Sequence, residues 1–436
     1  MRTRTTRTTV RSFAVVASVS FLLTGCSGGG GETTSADTTA TTAAAPAAGE
    51  SAAPAVRGDE DLIIWAEPPR VEYIQKIADV FAEENGITVG VQGIVNPRQE
   101  FITANSAGNG PDVIAGAHDW IGQLVQNGAV DPLQLSPDDL AGYSETAVDA
   151  STYESQLYAL PYMVESVALY CNTEYAPDTY ASIEDVVAAG QPAVDAGTLD
   201  LPLILQQGEL GDAYHMQPLF TSAGGYIFGR DAEGNYDPTD LGLNKPESIA
   251  AAEKIASLGE TGADTIRRSI SSDNYLSLFT EGRAACMVSG PWALPDVQEA
   301  LGENYSIQPV PGFAGMQPAQ PFMGSQGFMV ASSGENKAFA QEFVANGVNN
   351  EEAMQILFEA SNQPPAMVSV REGVTDEDVL TFATAADQGA PMPALPAMAE
   401  VFAPLGQAWS AIVGGADPTE TMNQTSETIS QAIAGQ

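Results

Sequence analysis

The chain has 436 residues, 44% of them hydrophobic and 17% charged, which gives ample apolar matter for a sizeable core. At about 150 residues per domain the length suggests two to three domains. Its 16 basic residues face 56 acidic ones, a formal charge of −40. That balance excludes a phosphate-driven nucleic-acid binder, which needs a basic footprint, and argues against adsorption to anionic lipid. Three cysteines cannot make a disulfide scaffold or a four-cysteine zinc site, and two distant histidines give no histidine-rich metal site. No metal and no cofactor is expected.

Residues 1–25 carry Arg2, Arg4, Arg7 and Arg11 and no acid, so the rest of the chain has a charge of −44. Phe13–Leu23 is an apolar run of 11 residues, interrupted only by Ser18 and Ser20. It falls short of the roughly 20 residues that span a bilayer and suits a secretory signal. Leu22-Leu23-Thr24-Gly25-Cys26 resembles the bacterial lipobox, which implies acylation of Cys26 and a lipid anchor on the outer face of the cytoplasmic membrane. Residues 26–57 are almost all Gly, Ser, Thr, Ala and Pro. Such a stretch cannot bury enough surface to offset its ordering entropy, and it reads as a flexible tether.

The body opens with Leu62–Trp65, a short apolar run read as a buried parallel strand. Pro69 and Arg70 start a helix whose stripe is Val71, Ile74, Ile77, Ala78 and Phe81, with Asn85-Gly86 as its stop. Ile87, Val89 and Val91 alternate as a second strand. Arg98–Ala107 reads as a helix and Gly108–Pro111 as a turn. Val113–Ala115 is a third strand, and Trp120–Asn127 a helix closed by Gly128. This βαβαβα order indicates a doubly wound α/β sheet, whose ligands sit beyond the carboxyl ends of its strands. Two loops qualify: Ala66–Arg70 and Gly116–Trp120. Further strands are expected at Val164–Tyr170, Leu201–Leu205 and Ala284–Val288, and helices at Tyr214–Ala223 and after Ser289-Gly290-Pro291-Trp292. There is no fixed-period repeat, no Gly-x-Gly-x-x-Gly after a strand, no Walker-type loop and no His-Glu-x-x-His.

Several segments occur together in one order: Leu62–Trp65, Gly108–Ile114, Ala117-His118-Asp119, Leu160–Glu165, Gly224-Gly225-Tyr226, Ser289–Ala293 and Met392–Pro396. In this ordered set the chain resembles the extracytoplasmic solute-binding proteins of ATP-driven sugar importers, in the maltose/maltodextrin-binding branch. The resemblance implies two discontinuous α/β lobes, 58–163 plus about 325–372 and 164–324 plus about 373–436, joined by a hinge over a ligand cleft. It further implies a non-enzymatic monomer that closes on an α-glucan oligosaccharide and presents it to the membrane permease subunits of an importer.

Sugars offer hydroxyl edges, which carboxylates bind as acceptors, and apolar faces, which aromatic rings cover. By resemblance the acceptors are Asp119, Glu165 and Asp212, the last just before the stacking Tyr214. Arg70 takes the place of a basic residue after the first strand, Trp292 matches the main stacking tryptophan, and Met392 lines the cleft. Phe402 stands where a second tryptophan is expected. The acid normally before Arg70 is Pro69, with Glu67 as a substitute. The first-lobe tryptophan position is Gly116, while Trp120 follows four residues later, and Gly406 replaces an arginine. Plainer roles stand beside these. Trp292 and Phe402 suit a core, Trp120 lobe packing, Asp119 a helix cap, and Glu165 the partner of a buried arginine. His118 reads as a packed, hydrogen-bonded histidine.

Other ligands, an oligosaccharide of different type or a polyol, are alternatives. A glycoside hydrolase using two of the three carboxylates is a remote one. The strands holding Cys171 and Cys286 lie in one sheet of the family fold, so the resemblance implies a disulfide between them, against the alternative of two buried thiols.

Overall fold

The structure, a computed structural model, describes residues 57–231 and 236–435; the signal segment, Cys26 and the tether up to residue 56 lie outside them. Strand β1 (Leu62–Ala66) is apolar on both faces and wholly buried. Leu62, Ile64 and Ala66 enter one core, Ile63 and Trp65 another. The helix Val71–Asn85 turns Tyr73, Ile74, Ile77, Ala78 and Phe81 onto the sheet and ends at Gly86, whose φ of 64° stops it. β2 (Val89–Gly93) begins two residues later than the alternation suggests, because Ile87 N–H still donates to Ala82 O and completes the helix end. β2 and β3 (Val113–Ala117) both pair parallel with β1, as the βαβ reading requires. A short β4 (Val130–Asp131) follows.

The single strand expected over Val164–Tyr170 is two strands in two sheets. β5 (Leu160–Glu165) belongs to the first and β6 (Ala168–Asn172) to the second, so the chain crosses between lobes at Ser166 and Val167. Glu165 and Ser166 are the only polar breaks in an otherwise apolar run, and the pairing partners divide it there. The second sheet adds β7 (Leu201–Leu205), β8 (Ala284–Ser289) and β9 (Tyr305–Pro309), in the order β9-β6-β8-β7. β7 and β8 run parallel, while β6 is antiparallel to both its neighbours.

The fully buried β10 (Phe322–Ala331) returns the chain to the first sheet. It runs antiparallel to β3, β4 and β5, and parallel to the short β11 (Ala390–Pro391). Its first residue, Phe322, packs in the second-lobe core, whereas Met323, Phe328 and Val330 pack in the first. Ser166 Oγ donates to Phe322 O at 3.1 Å, tying the two crossing segments together. The fold is therefore two α/β lobes joined by several crossings. In the second lobe Cys171 and Cys286 lie opposite one another on β6 and β8, Cα to Cα 4.1 Å, with their sulfurs joined. Among the described residues no helix is long and apolar enough to cross a membrane.

Candidate functional site

The site lies where the carboxyl ends of β1 and β3 meet the crossings. Pro68–Arg70 is a single 3-10 turn after β1, and it directs Arg70 back over the sheet. Its guanidinium sits between two carboxylates, with Nε 2.9 Å from Glu67 Oε2 and Nη2 3.9 Å from Glu165 Oε2. It also donates to Tyr73 OH at 3.0 Å. Glu165 ends β5 and accepts a 3.2 Å hydrogen bond from Gln326 Nε2 on β10. Glu67, Arg70 and Glu165 thus form one charged cluster.

After β3 a second 3-10 turn, His118–Trp120, precedes the helix Ile121–Gln126. Asp119 caps neither; it is buried, 3.8 Å from Arg98 Nη1. Burial raises its carboxyl above the usual range and Glu165 adds to this, against the opposing pull of Arg98. His118 is buried between backbone groups. Ser325 N–H donates to Nδ1 at 3.0 Å, so the neutral ring carries its proton on Nε2 and donates to Met392 O at 2.9 Å. Met392 is thereby fixed through its backbone.

Opposite stands an aromatic cluster of the second lobe. Tyr214 stacks on Phe322 at 6.0 Å and tilts against Trp292 at 6.3 Å, and Phe402 meets Phe322 at 6.3 Å. Trp292, in the 3-10 turn Pro291–Ala293, is 39% exposed and donates from Nε1 to Tyr275 OH at 3.2 Å. The Tyr214 phenol is pushed well up, by burial first and then by the negative charges of Glu165, Asp212 and Asp119. Carboxylates of both lobes therefore converge on one aromatic surface.

Asp212 is the N-cap of the helix Ala213–Ser222. It accepts from His215 N at 2.9 Å, His215 Nδ1 at 2.8 Å and Gln206 Nε2 at 2.6 Å. Burial would raise its pKa, but the His215 and Gln206 bonds outweigh that and hold it low. Both of its oxygens are occupied within the protein.

Residues 76–391 match the sequence pattern of the bacterial extracellular solute-binding proteins. The chain belongs to that family. This solute-binding protein is 25% identical to the galactooligosaccharide-binding protein of Bacillus subtilis (strain 168), over 88% of this chain and 91% of that one. It is 26% identical to the maltodextrin-binding protein MdxE of the same organism, over 79% and 83%. With the maltotriose-binding protein of Pyrococcus abyssi it shares 26% identity over 83% and 77%. An extracellular solute-binding protein of Staphylococcus aureus, solved with maltose, superposes with a TM-score of 0.72 at 25% identity, covering 86% of this chain and 97% of that one.

Four side chains of this solute-binding protein's site were not anticipated. Arg98, Gln326, Phe322 and His215 contact Asp119, Glu165, Tyr214 and Asp212 respectively. Phe322 and Gln326 sit on β10, where burial on both faces leaves no alternation and Gly324, Ser325 and Gly327 break the apolar run. His215 lies three residues after an Asp at a helix start, a spacing that does signal a cap. A cavity of about 780 Å³, bordered by Glu145, Asp149, Tyr153, Arg230, Tyr236 and Met392, lies to one side. Of the expected cleft residues only Met392 touches it.

Proposed function

We propose that this protein captures maltodextrin-type oligosaccharides at the extracellular face and hands them to the permease of an ATP-driven importer, without altering them. The observation that carries the reading is the nearness of two chemistries at β10, where Glu165 lies opposite Gly324, two residues from the Phe322 on which Tyr214 stacks. Trp292, Tyr214 and Phe402 supply an aromatic surface for sugar rings, and Asp119, Glu67, Arg70 and Glu165 supply charged groups for their hydroxyls. In this reading Trp292 is the central stacking platform, and Trp120 and Met392 border the sugar. Asp212 acts through the residues it holds.

The lobes close because only the closed form lets one sugar touch both sets of groups. The crossings at Ser166-Val167 and Phe322 serve as the hinge. Acylation of Cys26 and the following tether would hold the protein at the membrane. The named ligands of the relatives, maltodextrin and maltotriose among them, support the sugar class, and the galactooligosaccharide relative defines the competing one.

Calorimetry with maltose, maltotriose, longer α-glucans and β-galacto-oligosaccharides tests this. Maltotriose is expected to bind near the micromolar range, about −8 kcal/mol. Absence of binding to every α-glucan would remove the maltodextrin assignment, and release of glucose from maltotriose by pure protein would favour a hydrolase.

A further inference from the structure

Among the described residues, five buried side-chain polar atoms have no hydrogen-bond partner, and one of them, His215 Nε2, belongs to the aromatic surface. The imidazole is 6% exposed, and its centroid lies 5.4 Å from Tyr214, 6.2 Å from Trp292 and 6.4 Å from Tyr275. It stands at 89° to the Trp292 indole. Nδ1 is 2.8 Å from Asp212 Oδ2, and a carboxylate can only accept, so the proton is on Nδ1. In the neutral ring Nε2 is then a lone-pair acceptor. A buried acceptor without a donor is costly and calls for a reason. Trp292, at 39% exposure, is where this cluster opens to the outside.

We infer that His215 Nε2 accepts a hydrogen bond from a hydroxyl of a sugar seated on Trp292, with Asp212 as the positioning residue that fixes the tautomer. The inference rests on the sugar-binding reading given above. A sugar stacked on an indole directs its equatorial hydroxyls outward in the ring plane. A perpendicular imidazole beside that indole is placed to meet one of them. Such an acceptor discriminates, because an analogue lacking the hydroxyl leaves Nε2 unpaired in the complex.

The chain has only two histidines, so nitrogen-15 spectra of the histidine-labelled protein can be read ring by ring. His118 is expected to show a protonated Nε2 held by Met392 O, unchanged by ligand, and His215 a protonated Nδ1. Saturation with maltotriose, followed separately by calorimetry, should move the His215 Nε2 resonance upfield. Asp212→Asn keeps a capping oxygen for His215 N but turns an amide donor toward Nδ1. This should move the proton to Nε2 and weaken maltotriose on the order of tenfold. His215→Phe should weaken it by a similar factor. Saturation in the calorimeter with an unmoved His215 Nε2 overturns the inference and leaves the sugar-binding reading standing. Absence of binding to any sugar tested overturns both.

Discussion

The indole of Trp120 lies across the bare face of Gly116: a Cβ built on Gly116 would fall 2.2 Å from Trp120 Cζ3. The ring from 120 thus fills the space over 116 that a side chain there would need. Gly116→Ala is expected to cost about 1–3 kcal/mol through overpacking. The cost should shrink sharply in a Trp120→Ala background. Urea unfolding of the four members of this cycle measures the coupling, and additive effects would dissociate the two residues.

Trp292→Ala should weaken maltotriose by about 2 kcal/mol or more, as a central anchor does. Because Trp292 is 39% exposed, the thermal midpoint should move little. Unchanged affinity in calorimetry would place Trp292 outside the site.

The disulfide between Cys171 and Cys286 spans 115 residues of sequence. Replacing both by Ala should lower stability by about 2–4 kcal/mol, chiefly by freeing the unfolded chain. Urea titration of the double variant reads the loss. Thiol titration of unfolded, unreduced protein lacking Cys26 should find no reactive thiol.

Asp119 has a raised pKa in the folded protein, so the native state holds its proton more tightly than the unfolded chain does. Its contribution to stability is therefore greatest in acid and declines as pH rises through the folded pKa. Sugar binding should run the opposite way, since the ionised carboxylate is the better acceptor. The affinity should begin to fall at a higher pH than the ordinary aspartate value of about 3.9 would give. Calorimetry across acidic pH tests this, and Asp119→Asn should abolish that step.

The first lobe was legible because β1 to β3 and their helices carry the helical stripe and turn signals that local physics imposes. Its site loops followed from the rule about strand ends. The second-lobe assignments leaned on the ordered segments of the resemblance. What escaped was set by long-range pairing. Val164–Tyr170 is apolar apart from Glu165 and Ser166, and nothing in it records that Glu165 lies opposite Gly324 in one sheet while Ala168 pairs in another. β10 was invisible for the same reason: Gly324 and Gly327 lower its strand propensity, and burial on both faces removes alternation. Gly406, where an arginine was expected, is explained only by contact. The loop at Gly211 closes so tightly that a Cβ there would lie 1.6 Å from Gly406 O, and one on Gly406 would point back at Gly211 O from 3.1 Å. No long side chain fits between them.

Arg57, the first described residue, clasps the fully buried Asp112, whose oxygens also accept from Ile63 N at 2.9 Å and Asn336 N at 2.7 Å. The clasp sits at the amino ends of β1 and β3, whereas Arg70 and Asp119 follow their carboxyl ends. A five-residue strand separates the two edges by about 16 Å. A pull applied at Arg57 would therefore enter the first lobe at the edge of the sheet away from the candidate site, and be taken up by the bonds of the Asp112 carboxylate before it reached Arg70 or Asp119.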